Sequence, residues 1–430
     1  MIESPKRIYV RSFGCPTNFA DGEVIISCLL EVGYEVVQGI RDADILIYNT
    51  CAVKTPTENR IMNLLKNSPN NKKLIVTGCL PLINFERLKA EVKADGIVGP
   101  SPGIRIIEAV SKVASGQKIV TLEKGFRPSL NFSKVRENKV IGIVPISYGC
   151  LGSCSYCCVV FARGRLRSYK IEEIVERIKF DLASGIKEIW LTSQDTGCYG
   201  KDIETNLATL LRQVCRIEGE FFVRVGMMTP NYALESLNEL IQAYKDRKIF
   251  KFLHLPVQSG DNEVLKNMNR FYSAEDFEEI IHRFREEIPD ITIATDIICG
   301  FPSESDSAFN RTLKLIEETQ PDIVNTSKFF PRPHTTAEKM KQHVPLREVS
   351  ERSKKIAKLS KKISLEKNKE WINWKGEILV DEKGKIPNSW IGRNFAYKPI
   401  VVKSNDDLLG KFIDARVVKA FETYLEAKIP

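Results

Sequence analysis

Cys150-Leu-Gly-Ser-Cys154-Ser-Tyr-Cys157 decides the reading of this chain. Three cysteines, separated by three and then two residues, share one short loop directly after the apolar run Val140 to Ser147. Three thiolates so placed can cap three irons of a cubane 4Fe-4S cluster and leave the fourth iron open for a bidentate small molecule. A structural zinc wants four closed ligands, normally in paired Cys-x-x-Cys units, and no matched second pair follows. Zinc and plain buried cysteines are the competing readings.

Outward from this loop, strand-like runs recur at Val140 to Ser147, Lys187 to Ser193, Phe221 to Met227, Phe250 to Val257, Ile291 to Ile298 and Asp322 to Phe330. Helical runs such as Ile171 to Ala183 and Ala274 to Glu286 fall between them. Six β/α units in series predict a partial, open (β/α)6 barrel over residues 139–370. Its last stretch, Glu338 to Glu370, holds 11 Lys+Arg against 5 Asp+Glu with helical periodicity through Ile356, Leu359, Ile363 and Leu365. That is a basic helix, either a solvated face packed on the barrel or a phosphate-contacting surface. Residues 1–118 alternate strands (Arg7 to Phe13, Asp44 to Asn49, Lys73 to Gly78) with helices (Glu23 to Val32, Thr57 to Lys66), the pattern of an open, mainly parallel α/β sheet. Residues 119–138 read as a polar linker. From 371 to 430, short strands punctuated by Gly, Asn and Asp predict a small all-β barrel of oligonucleotide-binding style. The fold class is α/β in three parts.

Composition agrees. The chain has 430 residues, 43% hydrophobic and 28% charged, which suits two or three folded domains and excludes disorder as the main state. The start shows no basic-then-apolar leader, and the apolar runs are too short to cross a bilayer, so a cytoplasmic protein with no membrane partner is expected. In a reducing compartment, 11 cysteines point to metal ligation or redox chemistry rather than a disulfide framework. A net charge of +9 permits a polyanionic partner without demanding one.

A second set of thiols is Cys15, Cys51 and Cys79, each following a predicted strand and opening a turn. In an open parallel sheet those turns share the edge where ligands bind, so thiols from distant loops can converge. Three buried structural cysteines is the competing reading. Gln194, Asp195, Arg224, His254 and Gln258 lie near strand C-termini and are candidates for binding cofactor or base. Arg163, Arg165 and Arg167 form an alternating strip suited to phosphate or carboxylate. In the last domain, Trp371, Trp374, Trp390, Phe395 and Tyr397 are stacking candidates, with Arg393, Lys398 and Lys403 for phosphates. No P-loop or strand-linked G-x-G-x-x-G is present, so ATP and NAD are not supported.

The Cys150 loop resembles that of the radical S-adenosylmethionine (SAM) superfamily. With Phe-Gly-Cys15-Pro, Asn-Thr-Cys51-Ala-Val, Thr-Gly-Cys79 and the terminal barrel, nearly the whole chain resembles the methylthiotransferase family. The likeness continues at Ser193-Gln-Asp-Thr-Gly, Arg224-Val-Gly-Met, His254-Leu-Pro-Val-Gln, Thr295-Asp-Ile-Ile-Cys-Gly-Phe-Pro and Pro331-Arg-Pro. The terminal barrel resembles the TRAM RNA-binding module. The resemblance implies two 4Fe-4S clusters. Cys150, Cys154 and Cys157 would hold the SAM-cleaving one, and Cys15, Cys51 and Cys79 an auxiliary one that carries sulfur. It implies two SAM molecules, one methylating sulfur and one yielding a 5′-deoxyadenosyl radical. Hydrogen leaves an aromatic carbon and CH3–S replaces it. Tyr156 would pack near adenine, with Gln194, Arg224 and Gln258 as further cofactor contacts and Arg163, Arg165, Arg167, Arg393 and Lys398 as RNA contacts.

Cys51-Ala-Val-Lys-Thr-Pro-Thr-Glu, Ser193-Gln-Asp-Thr-Gly-Cys-Tyr-Gly and Arg224-Val-Gly-Met-Met-Thr-Pro resemble the archaeal and eukaryotic branch. That branch implies carbon 2 of N6-threonylcarbamoyladenosine beside the tRNA anticodon as the target. Isopentenyladenosine of tRNA and a ribosomal-protein side chain are the alternatives. The implied partners are tRNA, a sulfur donor and an electron donor of reductase, ferredoxin or flavodoxin type, with the chain as a monomer. Departures from the family pattern are Pro16, Cys158, Cys299 and Ser303. Cys28, Cys198 and Cys215 match no ligand and read as structural.

Overall fold

A computed structural model describes residues 6–123, 127–132, 135–136 and 138–430. The start of the chain and parts of the expected linker lie outside the described residues. The N-terminal layer is a parallel sheet of β1 (Arg7–Ser12), β2 (Glu35–Val36), β3 (Ile45–Thr50), β4 (Lys73–Gly78), β5 (Gly96–Val98) and β6 (Ile119–Thr121), in the order 2-1-3-4-5-6. Helices cover both faces, so β3 is buried along its whole length and reads as a continuous apolar run. The linker boundary needs correction. Ile119, Val120 and Thr121 pair with Gly96, Ile97 and Val98, so the sheet continues past residue 118. An edge strand this short leaves no periodic signal. Pro16 opens the helix Pro16–Glu31 at its first position, where a fixed φ and a missing N–H cost nothing.

The central domain contains all six expected strands: β7 (Ile141–Pro145), β10 (Glu188–Thr192), β11 (Phe222–Val225), β12 (Phe252–His254), β13 (Thr292–Cys299) and β14 (Ile323–Lys328). Between β7 and β10 a two-stranded hairpin, β8 (Ser147–Tyr148) with β9 (Arg167–Ser168), brackets the cysteine loop. The half-sheets β7-β10-β11 and β12-β13-β14 are joined by a Val223–Ile249 bridge and by the Met228 N–H, which donates to the His254 carbonyl at 3.0 Å. Ile189, Leu191, Val223, Val225, Leu253 and Leu255 pack into the core under the helices. By strand alternation Glu188, Trp190, Arg224, Phe252 and His254 face the lumen.

Five strands, Lys375–Lys383, Ser389–Arg393, Pro399–Lys403, Phe412–Ala420 and Leu425–Lys428, close into the C-terminal barrel and leave no open edge. This barrel plugs the N-terminal end of the lumen. Phe412 packs 6.1 Å from Phe222, and Tyr397 4.8 Å from Phe250. Arg224 lies among the rings of Trp190, Phe252 and Tyr397 at 4.9–5.3 Å. Burial, aided by nearby Asp381, pushes the Glu188 carboxyl up to about 8. The basic helix spans Leu346–Lys369; Val349, Ile356 and Ile363 join the barrel core while most of its lysines face outward. Among the described residues, no helix is long and apolar enough to cross a membrane.

Candidate active site: two thiol sets and a cavity beside their loops

The β8–β9 hairpin forces residues 149–166 into a compact loop. Gly149 has φ +78, and a Cβ there would lie 2.0 Å from the Arg165 carbonyl oxygen, so only glycine fits. Cys150 and Cys154 converge over Gly152, where an added Cβ would stand 3.2 and 3.7 Å from their Sγ atoms. The Gly152 N–H donates to Cys150 Sγ at 3.1 Å. Arg270 Nη1 donates to Cys154 Sγ at 3.0 Å, while its Nε holds the Tyr272 hydroxyl at 2.8 Å. Gln194 Oε1 accepts the Gly149 N–H at 2.6 Å and ties the loop to the end of β10. The buried Cys198 thiol donates to the Asp195 carbonyl at 3.2 Å, and its Sγ lies within 4.8 Å of Cys150 Sγ, whose pKa its proximity holds below the usual thiol value. Cys198, expected to be merely structural, therefore lies beside a candidate ligand.

On the other side, Cys15 caps the helix Pro16–Glu31, Cys51 follows β3, and Cys79 caps the short helix Leu80–Ile83. Because β1, β3 and β4 are neighbours, the three turns lie side by side. Gly14, at φ +104, lets the Cys15 turn press on Cys51, since a Cβ there would fall 2.6 Å from Cys51 Cβ. Burial pushes Cys51 up to about 12, with Cys79 adding to the rise; burial likewise raises Cys79. Such thiols keep their protons until a cation replaces them. Among the described residues, the one gathering tight enough for a single ion is Cys150, Asp195 and Cys198. Asp195 is already engaged, accepting from Thr229 Oγ1 at 2.8 Å and from the Gly197 N–H at 3.0 Å. Neither three-thiol set is drawn in around one ion, and a set of three soft thiol donors suits a cubane cluster.

A cavity of about 910 Å³ lies against both loops, with Cys157 the candidate ligand on its wall. The Cys51 loop contributes Val53, Lys54 and Pro56 to its wall; the cluster loop contributes Tyr156 and Cys157. Gln258, Asp296, Ile298 and the end of β14 close the remainder. Gln258 takes a left-handed φ of +70, with its N–H donating to the Asp296 carbonyl at 2.8 Å. A non-glycine residue held there marks strain beside the cavity. The Asp296 carboxyl is half-buried, and His254 at 3.2 Å and Asn325 at 2.8 Å hold it below the usual carboxylate range. Buried Cys158 packs among Cys51, Cys79 and Ala52 and also reaches the cavity wall.

Two expected RNA contacts, Arg163 and Lys398, are overturned by burial, and a third, Arg393, is taken up by a carboxylate. Arg163 is 2% exposed; it donates to Asp21 at 2.6 Å and Asn18 at 2.8 Å, joining the cluster loop to the helix that starts at Cys15. Lys398 is 4% exposed and bonds Asp322 at 2.7 Å and Asn368 at 3.2 Å. Arg393 pairs with Asp381 at 3.0 Å under the Tyr397 ring. Arg165 is exposed, and half-buried Arg167 donates to the Arg163 and Arg165 carbonyls. Arg224 sits in the lumen near the plug, away from the cavity wall. Arg332 went unnoticed in the sequence as a site residue. It donates to the Ala52 carbonyl at 2.7 Å and Thr55 Oγ1 at 2.9 Å and pairs with Glu58, pinning the Cys51 loop to the barrel. Arg270, 116 residues from Cys154, carried no local signal either. Cys198 did, standing just after a strand end among polar residues.

A partial (β/α)6 barrel with a three-cysteine loop at its first turn defines a radical SAM protein. The Radical SAM superfamily pattern matches residues 144–316, that of the uncharacterized protein family UPF0004 residues 7–99, and that of the TRAM domain residues 375–429. A probable threonylcarbamoyladenosine tRNA methylthiotransferase of Pyrococcus horikoshii is 44% identical, covering 98% of this chain and 99% of the relative. The threonylcarbamoyladenosine tRNA methylthiotransferase of Homo sapiens is 35% identical over 99% of this chain and 74% of the relative. The chain belongs to the threonylcarbamoyladenosine tRNA methylthiotransferase family. A radical SAM methyltransferase from Kitasatospora setae, solved with cobalamin and a [4Fe-4S] cluster, shares the fold at a TM-score of 0.55 and 13% identity, over 77% of this chain and 74% of that one.

Proposed function

We propose that this chain is a tRNA-modifying transferase that places CH3–S on carbon 2 of N6-threonylcarbamoyladenosine. Cys150, Cys154 and Cys157 hold one 4Fe-4S cluster with SAM; Cys15, Cys51 and Cys79 hold a second. The observation that carries the reading is one large cavity walled on one side by the Cys51 loop and on the other by the Cys157 loop. When bound, the clusters and SAM supply radical and sulfur chemistry. The chain's own residues do the rest. Arg163 and Arg332 fix the two loops relative to each other. Gln194 holds the cluster loop at Gly149. Arg270 places positive charge against Cys154, offsetting the charge that its thiolate carries as a ligand. Tyr156, Ile298 and Phe329 offer apolar walls for flat rings and exclude water. With Arg163 and Lys398 buried and Arg393 paired with Asp381, RNA contact falls to exposed cations such as Arg165 and the outer lysines of Leu346–Lys369.

The test is nucleoside mass spectrometry on tRNA from cells lacking the activity, with and without this chain. A methylthio mass gain on threonylcarbamoyladenosine is the expected result. A gain on isopentenyladenosine overturns the substrate. No gain on any nucleoside, with both clusters verified by iron counting, overturns RNA as the substrate class.

A further inference from the structure

We propose that Lys54 binds the carboxylate of the substrate's threonylcarbamoyl group and so selects this nucleoside over one with an uncharged N6 substituent. The inference rests on the function proposed above.

Position is the first ground. Lys54 follows Cys51 by three residues, on the loop that Arg332 pins, and lines the cavity shared with Tyr156 and Cys157. Carbon 2 and carbon 6 of adenine flank N1 of one six-membered ring. A base that offers carbon 2 to the space between the thiol sets must therefore house its N6 substituent in the same cavity.

Charge is the second ground. The cavity wall carries three cations, Lys54, Lys328 and Arg332, and one carboxylate, Asp296. Arg332 is engaged by Glu58, Ala52 and Thr55. Asp296 is engaged by His254 and Asn325. Lys328 donates to Ser350 on the basic helix at 3.0 Å, away from the Cys51 loop. Lys54 Nζ rests on the Ser327 hydroxyl at 2.7 Å, and among the described residues no carboxylate lies within ion-pair distance of it. Asp296 feels the Lys54 charge from beyond ion-pair distance and is itself held by His254 and Asn325, so Lys54, the cavity cation on the Cys51 loop without a direct carboxylate contact, has room for an incoming anion.

Polarity around it is the third. Asn325, Thr326 and Ser327 bring amide and hydroxyl groups to the cavity on the strand that Lys54 touches, while Val53, Pro56 and Ile298 are apolar. A threonylcarbamoyl group carries a hydroxyl, a urea and a carboxylate, and can use the polar side. An isopentenyl group in the same place would desolvate the ammonium without a partner, which is how a site rejects the wrong ligand.

The anion at Lys54 could also be an RNA phosphate or the carboxylate of SAM, and one experiment separates the three. The cluster-loaded full chain is titrated, by fluorescence anisotropy, with synthetic anticodon stem-loops bearing threonylcarbamoyladenosine, its threonine methyl ester, or plain adenosine. The wild type is expected to bind the acid about tenfold more tightly than the ester, the size of one charge-assisted hydrogen bond. Lys54→Met erases that preference, Lys54→Arg keeps most of it, and SAM binding by equilibrium dialysis is unchanged in both. Equal weakening of all three stem-loops in Lys54→Met makes the contact a phosphate contact and overturns the inference. Loss of SAM affinity in that variant overturns it too. An acid preference that survives in Lys54→Met refutes the inference alone, whereas a wild type that binds all three stem-loops alike refutes the substrate reading along with it.

Discussion

Replacing Arg163 with methionine separates a structural cation from an RNA-binding one. Its guanidinium donates to Asp21 Oδ2 at 2.6 Å and Asn18 Oδ1 at 2.8 Å, and Asp21 also accepts the Tyr148 hydroxyl at 2.6 Å. Both charges are buried, and they link the short helix Val159–Arg163 to the helix Pro16–Glu31. The intact pair adds little net stability, because desolvation offsets most of the attraction. Removing the cation alone strands the Asp21 carboxylate, and that costs about 3–5 kcal/mol. For cooperative units of ~150–250 residues, each kcal/mol moves the midpoint by roughly 2–4 °C, so Arg163→Met should melt roughly 6–20 °C lower. Calorimetry on the cluster-free chain reads this directly. Adding Asp21→Asn removes the stranded charge and should recover more than half of the loss, whereas two independent defects would add. The reasoning fails if Arg163→Met melts with the wild type while tRNA affinity drops and its salt slope shrinks by about one, the mark of a lost phosphate contact.

Glu188 predicts a pH effect. Its folded carboxyl titrates near 8 against an ordinary 4.5, so between those values the folded state holds a proton the unfolded state has released, and stability falls as pH rises. Glu188→Gln should therefore gain on the wild type in melting temperature from pH 5 to pH 9; parallel curves would refute the burial argument. Ser303 sits at a left-handed φ of +69, so Ser303→Gly should stabilise by about 0.5–1 kcal/mol in denaturant titration, and a loss would mean that its side-chain contacts outweigh the strain. In the cluster-free chain the Sγ atoms of Cys150 and Cys198 lie within 4.8 Å of each other. Hydrogen peroxide should join them, two thiols giving one disulfide while the peroxide is reduced to two waters; peptide mapping that finds Cys150 bonded to Cys154 or Cys157 instead would contradict the geometry.

The barrel strands are legible because each is a short, continuous apolar run bounded by turn residues, as strands buried on both faces must be. The placement of the cysteines is legible because Cys15, Cys51 and Cys79 each follow such a strand and the Cys150 loop follows the barrel's first strand, and strand C-termini converge by topology. The fates of the arginines and lysines are not. Arg163, Arg165 and Arg167 alternate like a solvent-facing strand, yet Arg163 ends a helix and meets Asp21, 142 residues earlier in the chain. Lys398 looks like a phosphate contact until the fold brings Asp322 and Asn368 to it. A charge reads the same in sequence whether its partner is water, RNA or a carboxylate from another domain. β6 escaped for a different reason: three residues pairing at a sheet edge need no pattern of their own.

Three of the buried ion pairs lie on domain seams. Arg163–Asp21 and Arg332–Glu58 cross the seam between the N-terminal sheet and the barrel, and Lys398–Asp322 crosses the seam between the barrel and its C-terminal plug. Apolar residues of similar volume would serve stability as well or better. What ion pairs add at a seam is a single allowed alignment, because a slip of one position leaves two buried charges unpaired. That alignment is what chemistry between two separate thiol sets needs, since a misplacement of about 1 Å can cost on the order of a hundredfold in rate. The cations at Arg163 and Lys398, which the sequence offers as phosphate contacts, are thus engaged in holding the domains.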